Sequence, residues 1–118
     1  MEPLSLGRSP SMSQLLQMDK QLIEISRDFS RSPAGRFISD GPNSGERLRN
    51  MIADVLKRGD AVELRMDGTR GYGSSFLDEA FGGLIRVCGF SAADLLARVN
   101  VVTQDPSLAL EVKRYWTA

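Results

Sequence analysis

The chain has 118 residues and a mass of 13.0 kDa, the size of one small domain. Its 15 basic and 15 acidic residues cancel, so no overall electric field draws it towards nucleic acid or an anionic membrane. It contains no histidine, which excludes histidine-based catalytic triads and histidine metal sites, and its one cysteine, Cys88, cannot form an internal disulfide. The composition favours a binding or regulatory domain, and we expect no enzymatic activity, no metal and no cofactor.

The N-terminal segment shows no basic cluster followed by a long apolar run, and no segment approaches the ~20 apolar residues that span a bilayer. We therefore expect a cytoplasmic protein that binds neither membrane nor nucleic acid. Residues 1–19 contain Pro3, Gly7, Pro10 and several serines, a composition typical of a mobile tail. The folded domain is predicted to comprise residues 20–118.

Apolar and polar residues alternate over residues 20–27, which predicts a half-buried strand with Ile23 and Ile25 on one face. The next segment, residues 28–45, is rich in Ser, Pro, Gly and Asp. This composition predicts turns around a short extended piece at residues 36–38.

The segment 44–58 is predicted to form a helix. Ser44 can accept a hydrogen bond as its N-cap, and Gly59 can end it in a left-handed conformation. Its apolar residues share one stripe, which predicts packing in the core; they are Leu48, Met51, Ile52, Val55 and Leu56. Its polar residues are expected to face water; they are Arg47, Arg49, Asn50, Asp54 and Lys57.

The remaining predicted elements are a strand over 61–66, a glycine loop over 67–73, a helix from about 75 to 88, a short helix over 91–98, a strand over 100–103 and a last helix that opens at Asp105-Pro106 and runs to about Trp116. Strands that alternate with helices through short connections indicate parallel pairing by right-handed crossovers. The predicted fold class is α/β, a mixed β-sheet with helices packed on it. We expect the extended N-terminal pieces to join this sheet in antiparallel orientation.

The strand, glycine loop and helix over residues 61–89 form the most informative unit. The loop delivers Ser74 and Ser75 to a helix N-terminus, where unpaired N–H groups and the helix dipole favour an anion. Two nucleotide-binding motifs are incomplete there, because Ser74 replaces the Walker A lysine and Phe76 replaces the third small residue of a dinucleotide fingerprint. The glycines can equally serve a tight turn alone.

Two adjacent glycines, Gly82 and Gly83, lie within the predicted helix, where each costs ~1 kcal/mol relative to alanine. They indicate either close packing of a neighbouring element or a smooth outer face for another protein. We further expect Cys88 to be a small buried residue and Trp116 to anchor the last helix in the core.

The sequence around this unit resembles the STAS-like domain family and, more distantly, the anti-sigma-factor antagonists. The residues that carry the resemblance are Ser-Ser-Phe-Leu-Asp-Glu at 74–79, Ala-Phe-Gly-Gly-Leu at 80–84 and, upstream, Phe29-Ser30, Pro33, Gly35-Arg36-Phe37, Asp40-Gly41-Pro42 and Ser44-Gly45. The resemblance covers about residues 21–117. It implies a STAS-like fold and a regulatory function through protein–protein binding.

In the antagonists, the second serine of an Asp-Ser-Ser-Gly motif is phosphorylated by a kinase with a histidine-kinase-like ATPase fold. The resemblance therefore implies such an ATPase as the partner and phosphorylation at Ser75, with Ser74 beside it. Gly73 and Phe76 stand in place of the aspartate and the glycine of that motif. From the residues alone, Ser75 is also predicted as an N-cap with capping-box-like spacing to Asp78, and a capping serine can still be modified.

The predicted docking surface is the loop 67–73 with the helix start 74–79, and its contact residues are Arg36, Arg70, Tyr72, Ser74, Ser75, Asp78 and Glu79. Arg36 is expected either to lie solvated on the surface or to pair with Asp40 or Asp67. Asp78 and Glu79 are adjacent on a helix, so their side chains diverge by about 100° and form no acid–base pair. The alternative function is a ligand-sensing domain that holds a phosphate or nucleotide at the helix N-terminus.

Overall fold

The computed structural model describes residues 10–117. The elements follow in this order: helix α1 (Met12–Gln17), strand β1 (Lys20–Glu24), a π-helical turn (Ile25–Phe29), a 3-10 turn (Ile38–Asp40), helix α2 (Gly45–Lys57), strand β2 (Ala61–Arg65), helix α3 (residues 74–86), helix α4 (Ala92–Arg98), strand β3 (Val99–Val102) and helix α5 (Pro106–Arg114). Helix α3 changes its winding from α (Ser74–Leu77) to π (Asp78–Gly82) and back to α (Gly83–Arg86). The alternation of strands and helices confirms the predicted α/β class.

The described strands form one sheet in the order β1-β2-β3, and both neighbouring pairs are parallel. In the central strand, Val62 pairs with Gln21 on one side and with Val99 on the other. The predicted antiparallel pair does not form, because residues 36–38 lie in turns and join no strand. Within residues 10–117 the sheet is therefore parallel rather than mixed.

Strand β1 ends earlier than predicted, because the chain winds into the π-helical turn directly after Glu24. The Asp28 carboxylate accepts a hydrogen bond from the Glu24 N–H at 2.8 Å, and the Ser30 N–H donates to the Ile25 carbonyl at 2.8 Å. Ile25 is nevertheless fully buried, as the alternation predicted. The pattern therefore predicted the burial of this segment but not its winding.

Helix α2 forms as predicted from its ends and its apolar stripe. The Ser44 hydroxyl accepts a hydrogen bond from the Arg47 N–H at 3.3 Å, and Gly59 has the left-handed φ of 89° that stops the helix. Leu48 and Ile52 are fully buried in the core. Each fully buried aliphatic side chain contributes about 1.5–3 kcal/mol through the hydrophobic effect, so this stripe fixes the helix on the sheet.

Helix α2 contacts both helix α3 and the central strand β2, so it covers one face of the sheet. On that face the side chains of Val62 and Leu64 are fully buried. The two helices approach closely at Gly45, where an added Cβ would collide with the Phe76 carbonyl oxygen. Glycine at position 45 therefore sets how near α2 lies to the start of α3.

A buried ion pair lies within helix α4, and its arginine connects that helix to the end of helix α2. The Arg98 guanidinium lies 2.9 Å from the Asp94 carboxylate, and the two side chains are 1% and 0% exposed. Arg98 also donates hydrogen bonds to the carbonyls of Leu56 and Asp60, so it satisfies backbone acceptors at the C-terminal end of α2. Burial raises the pKa of Asp94 above its usual value, although Arg98 acts in the opposite direction.

The last helix is fixed by the residues predicted to cap and anchor it. Asp105 accepts a hydrogen bond from the Ser107 N–H at 3.0 Å, and Trp116, which is 3% exposed, confirms the predicted core anchor. The Trp116 indole N–H donates to the Phe81 carbonyl at 3.0 Å. Cys88 packs against the core but is only half-buried, rather than fully buried as predicted.

The predicted tail, residues 1–19, lies partly outside the described residues, which begin at residue 10. The described part holds helix α1, which carries a capping box. The Gln14 N–H donates to the Ser11 hydroxyl at 3.2 Å, and the Ser11 N–H donates to the Gln14 side chain at 2.8 Å. No residue of α1 is buried, so this helix is not part of the core.

Candidate functional site

The loop 67–73 is attached to its surroundings on two sides. Asp67 accepts hydrogen bonds from the Thr103 hydroxyl at 2.6 Å and from the Gln104 N–H at 2.9 Å, which fixes the loop to the end of β3. The Arg70 N–H donates to the Arg31 carbonyl at 2.8 Å, which fixes the loop to the segment before α2. The Arg70 side chain itself is exposed, as the predicted docking surface requires.

Two glycines give this loop its turns. Gly68 has a φ of 89° and Gly71 a φ of 121°, left-handed conformations that favour glycine, so the tight turn is confirmed. Gly68 also lies directly against Ser26, whose hydroxyl would be 2.9 Å from an added Cβ. The loop conformation therefore depends on glycine at both positions.

Tyr72 is partly directed into the protein rather than fully exposed at the loop tip. Its hydroxyl donates to the Met66 carbonyl at 2.6 Å, and its ring centroid lies 5.8 Å from that of Phe76. Burial raises the pKa of Tyr72 to about 12. The Tyr72 side chain therefore closes the loop onto the core, and only a minor part of its surface is open to a partner.

Ser74 and Ser75 begin helix α3, and both are exposed. The N-cap is Gly73, whose extended conformation (φ −74°, ψ 155°) precedes the first helical residue. The prediction that Ser75 caps the helix is wrong, because the helix begins one residue earlier than expected and Ser75 lies inside its first turn. Within residues 10–117 neither hydroxyl makes a side-chain hydrogen bond, so both are accessible to a partner or an enzyme.

Behind the serines lies a connected group of charges, here called the arginine–carboxylate cluster, which consists of Arg36, Arg49, Arg86, Asp78 and Glu79. Arg36 lies 2.6 Å from Asp78 and 3.6 Å from Glu79. Arg86 contacts the same two carboxylates, at 3.1 Å and 3.7 Å. Arg49 lies 2.6 Å from Glu79 in the interior, where the two side chains are 10% and 5% exposed.

Arg36 pairs with Asp78, so the predicted pairing with Asp40 or Asp67 is wrong. Asp40 instead accepts the N–H of Phe37 at 2.8 Å, which closes a turn within the same segment. The hydrogen bond from Arg36 holds the pKa of Asp78 below its usual value. Arg36 thereby ties the segment before α2 to the second turn of α3.

Arg49 and Glu79 lie in the interior, against the expectation for each of them. Arg49 was predicted to face water with the polar side of α2, but its guanidinium reaches across to a carboxylate on α3. Glu79 was predicted to contact a partner, but its side chain is buried against Arg49, so we leave it out of the docking surface. The pair instead joins α2 to α3 behind that surface.

The adjacent glycines of α3 make room for the arginine–carboxylate cluster. A Cβ at Gly83 would lie 2.9 Å from the Arg49 Cδ, and a Cβ at Gly82 would lie 2.5 Å from the Arg86 Nη1. Close packing of a neighbouring element is therefore confirmed for Gly83, which lies against Arg49 of α2, whereas Gly82 makes room for Arg86 of its own helix. The groups that pack there are arginine side chains rather than backbone.

Phe37 and Ile38, which were predicted to lie in a short extended piece, form an exposed apolar pair. Their exposures are 46% and 53%. Their backbone is fixed, because the Phe37 N–H donates to Asp40 at 2.8 Å and the Ile38 N–H donates to Glu46 at 2.9 Å. The sequence did contain a signal for this exposure. The two large apolar residues lie inside a segment of Ser, Pro, Gly and Asp, a composition that does not favour a core strand.

A groove of about 340 Å³ opens beside the loop, where β2 and β3 end. Its acidic lining residues are Asp67, Asp105 and Glu111, and Tyr72 and Leu108 supply apolar surface. None of the residues that line it in the described structure is a lysine or arginine. The potential in this groove is therefore negative and disfavours a phosphate or nucleotide.

A family model described as a STAS-like domain of unknown function matches residues 44–108. The chain belongs to this family. The STAS-like match runs from the N-cap of α2 into α5 and so contains the loop 67–73 and the two serines. Membership supports a regulatory or protein-interaction role in general. No curated protein and no solved structure matches the chain.

Two further observations concern the described part of this STAS-like domain. None of the helices between residues 10 and 117 combines the length and the apolar character that a membrane crossing requires. Over the same residues, no three acidic or cysteine side chains are grouped so that they could hold a metal ion.

Proposed function

We propose that this STAS-like domain is a regulatory module that binds a protein partner through one surface, here called the serine edge, which consists of the loop 67–73, Ser74, Ser75, Phe37 and Ile38. The observation that carries the proposal is the exposure of both serine hydroxyls at the start of α3, beside a loop that is attached on two sides. A surface whose backbone is already fixed loses little conformational entropy on binding. The serine edge is therefore suited to a specific partner.

The apolar part of the serine edge comes from Phe37 and Ile38. Apolar anchors at the centre of an interface supply most of its binding energy, and aromatic residues are enriched among them. The ion pair between Arg36 and Asp78 ties the segment that carries these two residues to α3. Arg70 and the half-exposed Asp78 supply charges for the rim, where they would affect the association rate more than the affinity.

The partner suggested by the resemblance is a histidine-kinase-like ATPase, and the modification is phosphorylation of Ser75 or Ser74. Phosphate adds about −1.5 to −2 charges, and its position in the first turn of α3 suits the positive end of the helix dipole. The domain should therefore stay folded when phosphorylated. A docked partner would have to desolvate this charge, so we expect phosphorylation to release it.

The binding surface is tested by affinity purification from the native cells, with the wild-type domain and the variants Ser75→Asp and Phe37→Ser as baits. We expect a partner that the wild type retains and both variants lose. The matched control is Val87→Ser, because Val87 is also apolar and 60% exposed but lies at the other end of α3. Equal recovery of every bound protein by all four baits contradicts the serine edge.

Phosphorylation is tested separately by the intact mass of the domain after incubation with the recovered partner and ATP. We expect one added phosphoryl group on the wild type and on Ser74→Ala, and none on Ser75→Ala. An unmodified wild type would refute the phosphorylation step and leave the binding surface to be judged by the purification.

We favour a protein partner over the alternative of a phosphate or nucleotide sensor. The groove beside the loop is lined by carboxylates, and Arg36, Arg49 and Arg86 are already paired with acidic side chains. Isothermal titration with ATP and with inorganic phosphate distinguishes the two functions. Saturable heat in either titration would favour the sensor.

A further inference from the structure

The face of the sheet opposite the helices is bare within residues 10–117. Along β2, burial alternates, so Glu63 and Arg65 lie on the face away from the buried residues of that strand. The register puts the outward residues in three rows across the sheet, Lys20–Ala61, Leu22–Glu63–Asn100 and Glu24–Arg65–Val102. On the outer strands, Leu22 is 40% and Val102 is 38% exposed.

A bare parallel sheet is uncommon, because purely parallel sheets occur almost only with both faces covered. The bare face here combines the exposed apolar residues of the outer strands with opposite charges on the central strand. Glu63 and Arg65 lie two residues apart, and their charged atoms are 2.9 Å from each other. The face therefore carries both halves of an ion pair at its centre and can be complementary to itself.

We propose that this face packs against the same face of a second copy of the chain, with the two β2 strands antiparallel and a two-fold axis between Glu63 and Arg65. In that arrangement, Glu63 of each copy lies opposite Arg65 of the other, so two ion pairs can form across the interface. A face-to-face pairing with the two β2 strands parallel would oppose Glu63 to Glu63 and Arg65 to Arg65, which is repulsive. The charge pattern therefore selects the antiparallel arrangement.

The dimensions of the face predict a weak association. Three strands about 4.8 Å apart and about five residues of ~3.3 Å each give a footprint of roughly 14 Å by 16 Å. This footprint is much smaller than the ≈800 Å² per partner of a standard interface. We therefore expect a reversible dimer that forms at tens to hundreds of micromolar, roughly −5 to −6 kcal/mol of association free energy.

The experiment is sedimentation equilibrium of the full chain between about 10 μM and about 1 mM. The wild type should dimerise with concentration, and Glu63→Arg and Arg65→Glu should each weaken the dimer at least about tenfold, because each variant then opposes like charges. A one-to-one mixture of the two variants should associate again, since each meets the opposite charge in the other. A change in the stability of a monomer cannot produce this rescue.

The matched controls are Asp54→Arg and Lys57→Glu, which make the same charge changes on the exposed side of α2 and should dimerise like the wild type. Circular dichroism establishes that each variant is folded. A wild type that stays monomeric up to the highest concentration overturns the proposal. Sheet variants that dimerise like the wild type, or that fail to associate on mixing, also overturn it. None of these outcomes depends on the serine edge.

Discussion

The substitution Gly83→Ala tests the arginine–carboxylate cluster. Alanine normally stabilises a helix interior by about 1 kcal/mol relative to glycine. At position 83, however, the added methyl group would lie 2.9 Å from the Arg49 Cδ and 3.0 Å from the Glu79 Oε2, and both side chains are buried. Because separating a buried ion pair costs about 3–5 kcal/mol, we expect Gly83→Ala to lower the free energy of unfolding by about 2–4 kcal/mol.

The neighbouring glycine supplies the control. A methyl group at Gly82 would lie 2.5 Å from the Arg86 Nη1, the end of a flexible side chain that is 49% exposed and can turn into water. The ion pair of Arg86 with Asp78 contributes about 0–1 kcal/mol at such exposure, and the higher helix propensity of alanine offsets its loss. Gly82→Ala should therefore be neutral or stabilising by up to about 1 kcal/mol.

Urea unfolding followed by the fluorescence of Trp116 measures both variants, because the only tryptophan of the chain is buried against Phe81. The same substitution at two adjacent glycines of one helix should thus destabilise the protein at position 83 and not at position 82. If Gly83→Ala is as stable as Gly82→Ala, the pair of Arg49 and Glu79 does not occupy the space over Gly83, and the reasoning fails.

Three further predictions follow from buried or paired titratable groups. Arg98→Met should lower the free energy of unfolding by about 3–5 kcal/mol, because it leaves Asp94 buried without its partner; a loss below about 1 kcal/mol in urea unfolding would contradict the structure. Asp78 has a lowered pKa in the folded state, so its stabilising effect is present above the usual value of 3.8 and is lost as the pH falls through the folded pKa. The difference in free energy of unfolding between the wild type and Asp78→Asn should therefore shrink as the pH falls below 3.8, which acid unfolding experiments can measure. Tyr72, with a pKa near 12 against 10.0 for the free side chain, stabilises the fold below pH 10 and progressively less up to pH 12. An absorbance titration should lose its transition near pH 12 in Tyr72→Phe, and an unchanged transition would argue against the buried hydroxyl.

Much of the fold could be predicted because its signals are local. The cap at Ser44, the stop at Gly59 and the start at Asp105 each act within one turn, and the structure confirms all three. The sheet was harder to predict, because a short extended segment contains no information about its partner. Residues 36–38 formed turns instead of a strand, since side chains of nearby residues satisfied their backbone N–H groups.

The secondary structure that carries the candidate site was predicted, but the ion pairs among its charged side chains were not. The strand, loop and helix around Ser74 could be predicted because glycines and apolar periodicity are local features of the sequence. Arg49 pairs with Glu79, 30 residues away, and helical periodicity alone assigned this arginine to the polar face. The partner of Arg36 was missed for the same reason, because it lies 42 residues further along the chain. Contacts of this kind depend on how two elements meet in space.

The family match at 44–108 is shorter than the stretch of chain that forms the hydrophobic core. Ile23 and Ile25 precede the match, Val112 and Trp116 follow it, and all four are at most 6% exposed. A fragment trimmed to the matched region would lose an edge strand and uncover Phe81, so it should aggregate on expression. For recombinant work, residues 20–117 retain the whole of β1 and every buried side chain described here.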